Sequence, residues 1–64
     1  MVISDEMIRV LKWFRAQVDG RGTAYDARMN PTTKNALLKY GWLVVEGGGY
    51  EITGKGLDLL SGLA

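Results

Sequence analysis

The sequence contains no cysteine and no histidine. Without cysteine the chain has no disulfide, no thiolate nucleophile and no zinc ribbon. Without histidine it lacks the commonest general base and metal ligand. A chain of 64 residues is also too small to enclose a substrate in a pocket. We therefore expect a non-enzymatic binding module with no cofactor, no metal ion and no small-molecule substrate.

The chain also lacks a long apolar run and an excess of either charge. Its longest unbroken apolar stretch is Trp42-Leu43-Val44-Val45, far short of the ~20 residues that a membrane span requires. The N-terminus has no basic segment followed by an apolar run, so no signal peptide is predicted. A formal net charge of +1 gives no general attraction to nucleic acid or to a membrane. These observations predict a cytoplasmic protein without a membrane partner, in which any basic patch is local.

The composition is that of one folded domain spanning residues 1–64, with 47% hydrophobic and 23% charged residues. Nine glycines divide the chain into segments with distinct periodicities. The first segment, Ser4 to Asp19, predicts a helix that Ser4 caps and Gly20 ends. Its apolar face would comprise Met7, Val10, Leu11, Phe14 and Val18, with Trp13 at the margin. Its basic residues are expected in solvent: Arg9, Lys12 and Arg15.

Residues 21–29 are ambiguous, because they fit either a short helical turn capped by Thr23 or a short strand from Thr23 to Tyr25. Asn30-Pro31 then predicts the start of a second helix, since asparagine is a strong cap and proline is favoured at the first helical position. This helix should end at Tyr40, before Gly41. Spacing predicts that it buries Thr33, Ala36, Leu37 and Tyr40 and exposes Thr32, Lys34, Asn35 and Lys39.

Two strand-like runs flank Gly47-Gly48-Gly49 and predict a β-hairpin, Trp42 to Glu46 and Tyr50 to Thr53. Thr53 should cap a closing helix, with Ile52 and Leu57 forming a hydrophobic contact across its first turn. The apolar positions of that helix would be Leu57, Leu59, Leu60 and Leu63. The predicted fold is a small α+β domain: helix, short turn or strand, helix, hairpin and C-terminal helix.

Two motifs of the second half resemble a known family. Ala36-Leu37-Leu38-Lys39-Tyr40-Gly41-Trp42-Leu43-Val44 and Gly49-Tyr50-Glu51-Ile52-Thr53-Gly54-Lys55-Gly56-Leu57 are similar to the C-terminal half of winged helix-turn-helix regulators. In that family the helix contacts DNA and the hairpin is the wing. The resemblance extends from Ala36 to Leu63, and small phage and bacterial proteins include minimal domains of this kind. One departure is clear: the scaffold helix before Asn30 is reduced to a single turn or replaced by a strand.

The resemblance implies a DNA-binding transcriptional or phage regulatory protein that acts as a homodimer. Residues 30–40 would enter the major groove, where the first turn of the helix presents Thr32, Thr33, Lys34 and Asn35. The phosphates would be contacted by Arg21, Arg28 and Lys39.

A second interpretation is a protein-interaction module of the same fold, such as a small phage factor that binds a host protein. The hairpin tip carries no cation, which favours this alternative. Trp13 and Tyr25 are the candidate interface residues, because exposed aromatic side chains anchor many protein interfaces.

Overall fold

The computed structural model describes residues 3–63, which form four helices and one three-stranded antiparallel sheet. The elements in chain order are α1 (Asp5–Arg15), β1 (Arg21–Gly22), α2 (Ala24–Ala27), α3 (Pro31–Lys39), β2 (Leu43–Glu46), β3 (Gly49–Ile52) and α4 (Gly54–Gly62). The predicted α+β class is therefore confirmed. Among these residues no helix has both the length and the apolar character needed to cross a bilayer.

Each described helix begins at a polar cap residue. The side-chain oxygens of Ser4, Thr23, Asn30 and Thr53 each accept a hydrogen bond from the backbone N–H three residues later, at 2.7–3.1 Å. A cap of this kind stabilises a helix by about 1 kcal/mol because it satisfies an otherwise unpaired donor. The predicted starts of α1, α3 and α4 are confirmed.

The end of α1 differs from the prediction. The helix stops at Arg15 instead of Asp19, and Val18 is fully exposed, at 101%, so its predicted burial is wrong. Gly20 has the expected positive φ, but it lies in the turn that leads to β1 and does not cap the helix. The chain leaves the helix because β1 pairs with β3, and the Gly20 carbonyl accepts a hydrogen bond from the Ile52 N–H at 2.9 Å.

The ambiguous segment forms the helical turn capped by Thr23, and its strand lies before Thr23 instead of at Thr23 to Tyr25. Arg21–Gly22 forms β1, and Ala24–Ala27 forms the single-turn helix α2, capped by Thr23. The sheet order is β1-β3-β2, and the predicted hairpin pairs Leu43 with Ile52 and Val45 with Tyr50. The helix α3 lies between the strands β1 and β2 in the chain and packs against β2.

The core lies between the helices and the inner face of the sheet, with Val10, Leu11, Phe14 and Leu37 fully buried. In α4 the prediction was partly wrong, since Leu57 and Leu63 are exposed, Leu59 is half-buried and Leu60 alone of the four leucines is buried. Leu57 is exposed because α4 turns Gly56 and Leu60 inward, and Leu63 lies past the last residue of α4. A Cβ at Gly56 would lie 2.6 Å from the Trp42 carbonyl oxygen, so α4 contacts the chain before β2 through bare backbone.

Candidate nucleic-acid interface

The segment that joins α2 to α3 is a three-residue turn made of Arg28, Met29 and Asn30. Its backbone is closed by hydrogen bonds from the Arg28 N–H to the Tyr25 carbonyl at 3.1 Å and from the Met29 N–H to the Ala24 carbonyl at 2.9 Å. A short turn between two helices is the central feature of a helix-turn-helix. Here the first helix of the pair is reduced to one turn, as the sequence indicated.

Arg28 occupies a left-handed backbone conformation, with φ 54° and ψ 46°. Among residues 3–63 it is the only residue other than glycine with a positive φ. Glycine normally takes this position after a helix, because a Cβ there costs roughly 1 kcal/mol. The chain thus keeps an exposed cation at the first position of the turn before α3, where glycine would be more stable.

Two carbonyls at the junction of α2 and this turn are bound by a side chain from α1. Arg9 donates from Nη1 to the Ala27 carbonyl at 3.0 Å and from Nη2 to the Arg28 carbonyl at 2.9 Å. These carbonyls lie at the C-terminal end of α2, where a cation is favourable. Arg9 was expected to be solvated, and although its side chain is 45% exposed, its guanidinium holds the turn.

Glu6 orients that guanidinium with two further contacts, Oε1 to Nε and Oε2 to Nη2, both at 2.8 Å. This hydrogen-bonded pair lowers the pKa of the Glu6 carboxyl and raises the pKa of Arg9. The spacing of Glu6 and Arg9 on one helix was visible in the sequence. Their target, however, lies 18 and 19 residues away in the chain, so sequence reasoning missed it.

The helix α3 presents a polar stripe made of Thr32, Asn35 and Lys39, which are all exposed and share one face by their spacing. Lys34 is half-buried at the side of this stripe. The Lys39 Nζ lies 6.0 Å from the centroid of the Tyr40 ring. Thr33 is only 8% exposed and lies on the inner face of α3, so the structure separates it from the other predicted contact residues.

Arg21 lies apart from this stripe, on β1. Its Nε is 3.1 Å from Oε1 of Glu51, and its Nη2 is 3.8 Å from Oε1 of Glu46. The hydrogen bond to Glu51 and the negative charge of both carboxylates raise the pKa of Arg21. Its positive charge is therefore balanced on the outer sheet face, which consists of Arg21, Val44, Glu46 and Glu51.

The two candidate interface residues lie in different environments. Trp13 is half-buried, with its ring edge-on to Phe14 at a centroid distance of 5.0 Å, and it covers Gly22 so closely that a Cβ there would overlap the indole. Tyr25 is 89% exposed in the first turn of α2. Trp13 thus has a packing role within the chain, whereas Tyr25 remains available to a partner.

Residues 3–63 contain no cluster of acidic, histidine or cysteine side chains that could hold a metal ion, and no pocket opens among them. Comparison with protein-family models, with curated proteins and with solved structures gives no match to this chain. The fold is that of a small α+β domain. The candidate functional surface consists of the turn before α3 and the exposed stripe of α3.

Proposed function

We propose that this chain is a small winged-helix-like DNA-binding domain that inserts the exposed face of α3 into the major groove. The observation that carries the proposal is Arg28, a cation held in a left-handed conformation in the three-residue turn that leads into that helix. Backbone conformations of this kind persist where the surrounding structure supports them and are concentrated at functional sites. The order of elements, with a hairpin after α3, is compatible with the winged-helix family that the sequence resembles.

Each exposed side chain of the turn and of α3 has a chemical role in this proposal. Arg28, Lys34 and Lys39 contact phosphate oxygens, and Thr32 donates a hydroxyl hydrogen bond to the backbone of the duplex. Asn35 can form two hydrogen bonds with an adenine edge in the major groove. Arg21 takes no part, because Glu46 and Glu51 balance its charge.

About three phosphate contacts per chain would give weak binding that falls steeply with salt. Two copies on one duplex would double the number of contacts, so the proposed regulator acts as a homodimer, in transcription or in a phage programme. The non-enzymatic role and the cytoplasmic location remain predictions.

The test uses Arg28→Gly, Arg28→Lys and a mobility shift on a random duplex at about 50 mM salt, followed by a salt titration. We expect Arg28→Gly to lose several-fold in affinity and about one unit in the salt slope, because one phosphate contact is removed. Its melting temperature should equal or exceed that of the wild type, since glycine relieves the left-handed strain. Arg28→Lys should keep most of the binding.

Lys12→Ala is the control for charge, because Lys12 is an exposed cation on α1 outside the proposed interface and alanine preserves the helix. It removes the same charge and should change the affinity much less than Arg28→Gly does. Equal losses of affinity in both variants would mean that Arg28 contributes to DNA binding only through the net charge of the chain. No retardation of the wild type at about 50 mM salt would refute DNA binding. It would favour the protein-interaction module, for which the balanced charges of the outer sheet face are the supporting observation.

A further inference from the structure

The strand β2 forms one edge of the sheet, and within residues 3–63 it pairs only with β3. Its two central residues are exposed and apolar, Val44 at 47% and Val45 at 64%. Edge strands are usually protected from further pairing by lysine, proline, a bulge or a very short length. Leu43–Glu46 has no lysine and no proline, its pairing with β3 is continuous, and its single charge, Glu46, stands at the end of the strand. The opposite edge, β1, has only two residues and carries the charged Arg21.

We propose that β2 pairs antiparallel with β2 of a second copy of this chain, about a two-fold axis at Val44. When the two-fold axis is perpendicular to the sheet, each residue of one β2 pairs with a residue of the other copy on the same face. The cores of both copies then lie on the same side of the continuous sheet. Centred on Val44, the register opposes the two Val44 side chains on the outer face and Leu43 with Val45 on the inner face. The expectation of a dimer rests on the proposed function, whereas the choice of surface rests on β2 itself.

Opposite charges meet in this register. Glu46 at the end of one β2 lies across from Trp42 of the other copy, beside Gly41. The Lys55 Nζ lies at that end of the strand, 4.0 Å from the position that a Cβ of Gly41 would occupy. The two-fold axis therefore brings Glu46 of each copy to the end of β2 where Lys55 of the other copy lies. It also keeps the two Glu46 carboxylates at opposite ends of the interface.

The size of the edge determines how strong this association can be. Stable complexes bury about 800 Å² on each partner, roughly a fifth of the 4123 Å² accessible surface of this chain. A four-residue edge with two exposed valines covers less than that. We therefore expect a dissociation constant in the micromolar range or weaker, tightened when both copies bind one duplex.

The test is sedimentation equilibrium of the full chain between about 10 µM and 1 mM. The wild type should show a monomer–dimer equilibrium. Val44→Lys should weaken the dimer at least ten-fold, because it places two lysines against each other at the axis. Val18→Lys is the matched control, since Val18 is an exposed valine outside any strand. It adds the same charge and should leave the equilibrium unchanged.

Charge exchange tests the register. Glu46→Lys and Lys55→Glu should each weaken the dimer several-fold, and the double variant should recover most of the loss. Circular dichroism of each variant confirms that the fold is retained. A wild type that is monomeric at about 1 mM, or Val44→Lys that dimerises as the wild type does, would overturn the proposal. A double variant without recovery would overturn the register.

The same variants separate this proposal from DNA binding. A chain that dimerises through β2 but does not retard a duplex refutes the proposed function alone. If the wild type and Val44→Lys retard a duplex equally well and both are monomeric, only the β2 interface is refuted.

Discussion

Two turns of this molecule share a left-handed backbone but differ in the residue that occupies it. At the tip of the hairpin Gly47 has a φ of 57°, and a Cβ there would meet nothing within 4 Å. In the turn between α2 and α3, Arg28 has a φ of 54°. The hairpin uses the residue that adopts this conformation without strain, whereas the α2–α3 turn uses a charged one.

The support around the two turns differs in the same way. The hairpin is closed by its own strands, with Glu46 paired to Gly49. The α2–α3 turn follows a helix of one turn, and its carbonyls are bound from outside by Arg9. A side chain from α1 therefore binds backbone carbonyls at the turn that presents a cation, whereas the hairpin is held by strand pairing and by the ion pair of Arg21 with Glu46 at its base.

Removing the Arg9 side chain, which binds the α2–α3 turn, should have the largest effect on stability. Arg9→Ala deletes two hydrogen bonds to turn carbonyls, and we expect the free energy of unfolding to fall by about 1–2 kcal/mol. For a domain of this size that lowers the melting temperature by roughly 5–15 °C. Thermal and urea unfolding followed by circular dichroism measure both quantities. Lys12→Ala, an exposed neighbour on α1, is the control, and an equal loss there would show that the Arg9 contacts contribute nothing.

Gly47→Ala at the hairpin tip should have an intermediate effect on the free energy of unfolding. It should lower stability, whereas Arg28→Gly should keep or raise it. Gly47→Ala introduces left-handed strain without any clash, and we expect a loss of about 1 kcal/mol. Gly48 is the matched position, because it also lies in open space but has no positive φ. Urea unfolding of Gly47→Ala and Gly48→Ala compares the two directly. If Gly48→Ala is the more destabilising variant, backbone conformation does not control the hairpin tip.

Removing the carboxylate of Glu6, which orients Arg9, should have the smallest effect on stability. The pKa of Glu6 is lowered in the folded state, so the folded state binds its proton less tightly than the unfolded chain does. Its contribution is therefore present above the ordinary value of 4.5 and is lost as the pH falls through the lower folded pKa. The melting temperatures of wild type and Glu6→Gln should differ slightly at neutral pH and converge in acid. A difference that grows in acid would contradict the assigned direction.

The elements that could be predicted from the sequence are those set by neighbouring residues. Asn30-Pro31 defined the start of α3, and the glycine run defined the hairpin, because caps and turns depend on residues a few positions apart. The class of the fold followed from these signals together with the resemblance. The exposed stripe of α3 also followed, since helical spacing alone separates Thr32 and Asn35 from the buried Leu37.

The remaining features depend on contacts between distant segments. The Gly20 carbonyl pairs with Ile52 in the strand region, so helical periodicity wrongly extended α1 to Asp19 and wrongly buried Val18. The contact of Arg21 with Glu51 could not be predicted either, because Glu51 stands 30 residues later, on another strand. No local pattern distinguishes a solvated arginine from one whose partner is brought to it by the fold.

The packing of Trp13 over Gly22 has a consequence for how this molecule can be observed. One indole, that of Trp42, lies deep in the interior, while the other closes over the backbone of the short strand β1. Detachment of β1 would bring Trp13 into water and shift its fluorescence to longer wavelength, with Trp42 left in apolar surroundings. The protein therefore contains two native optical reporters, one for the opening of a single strand and one for the loss of the whole core.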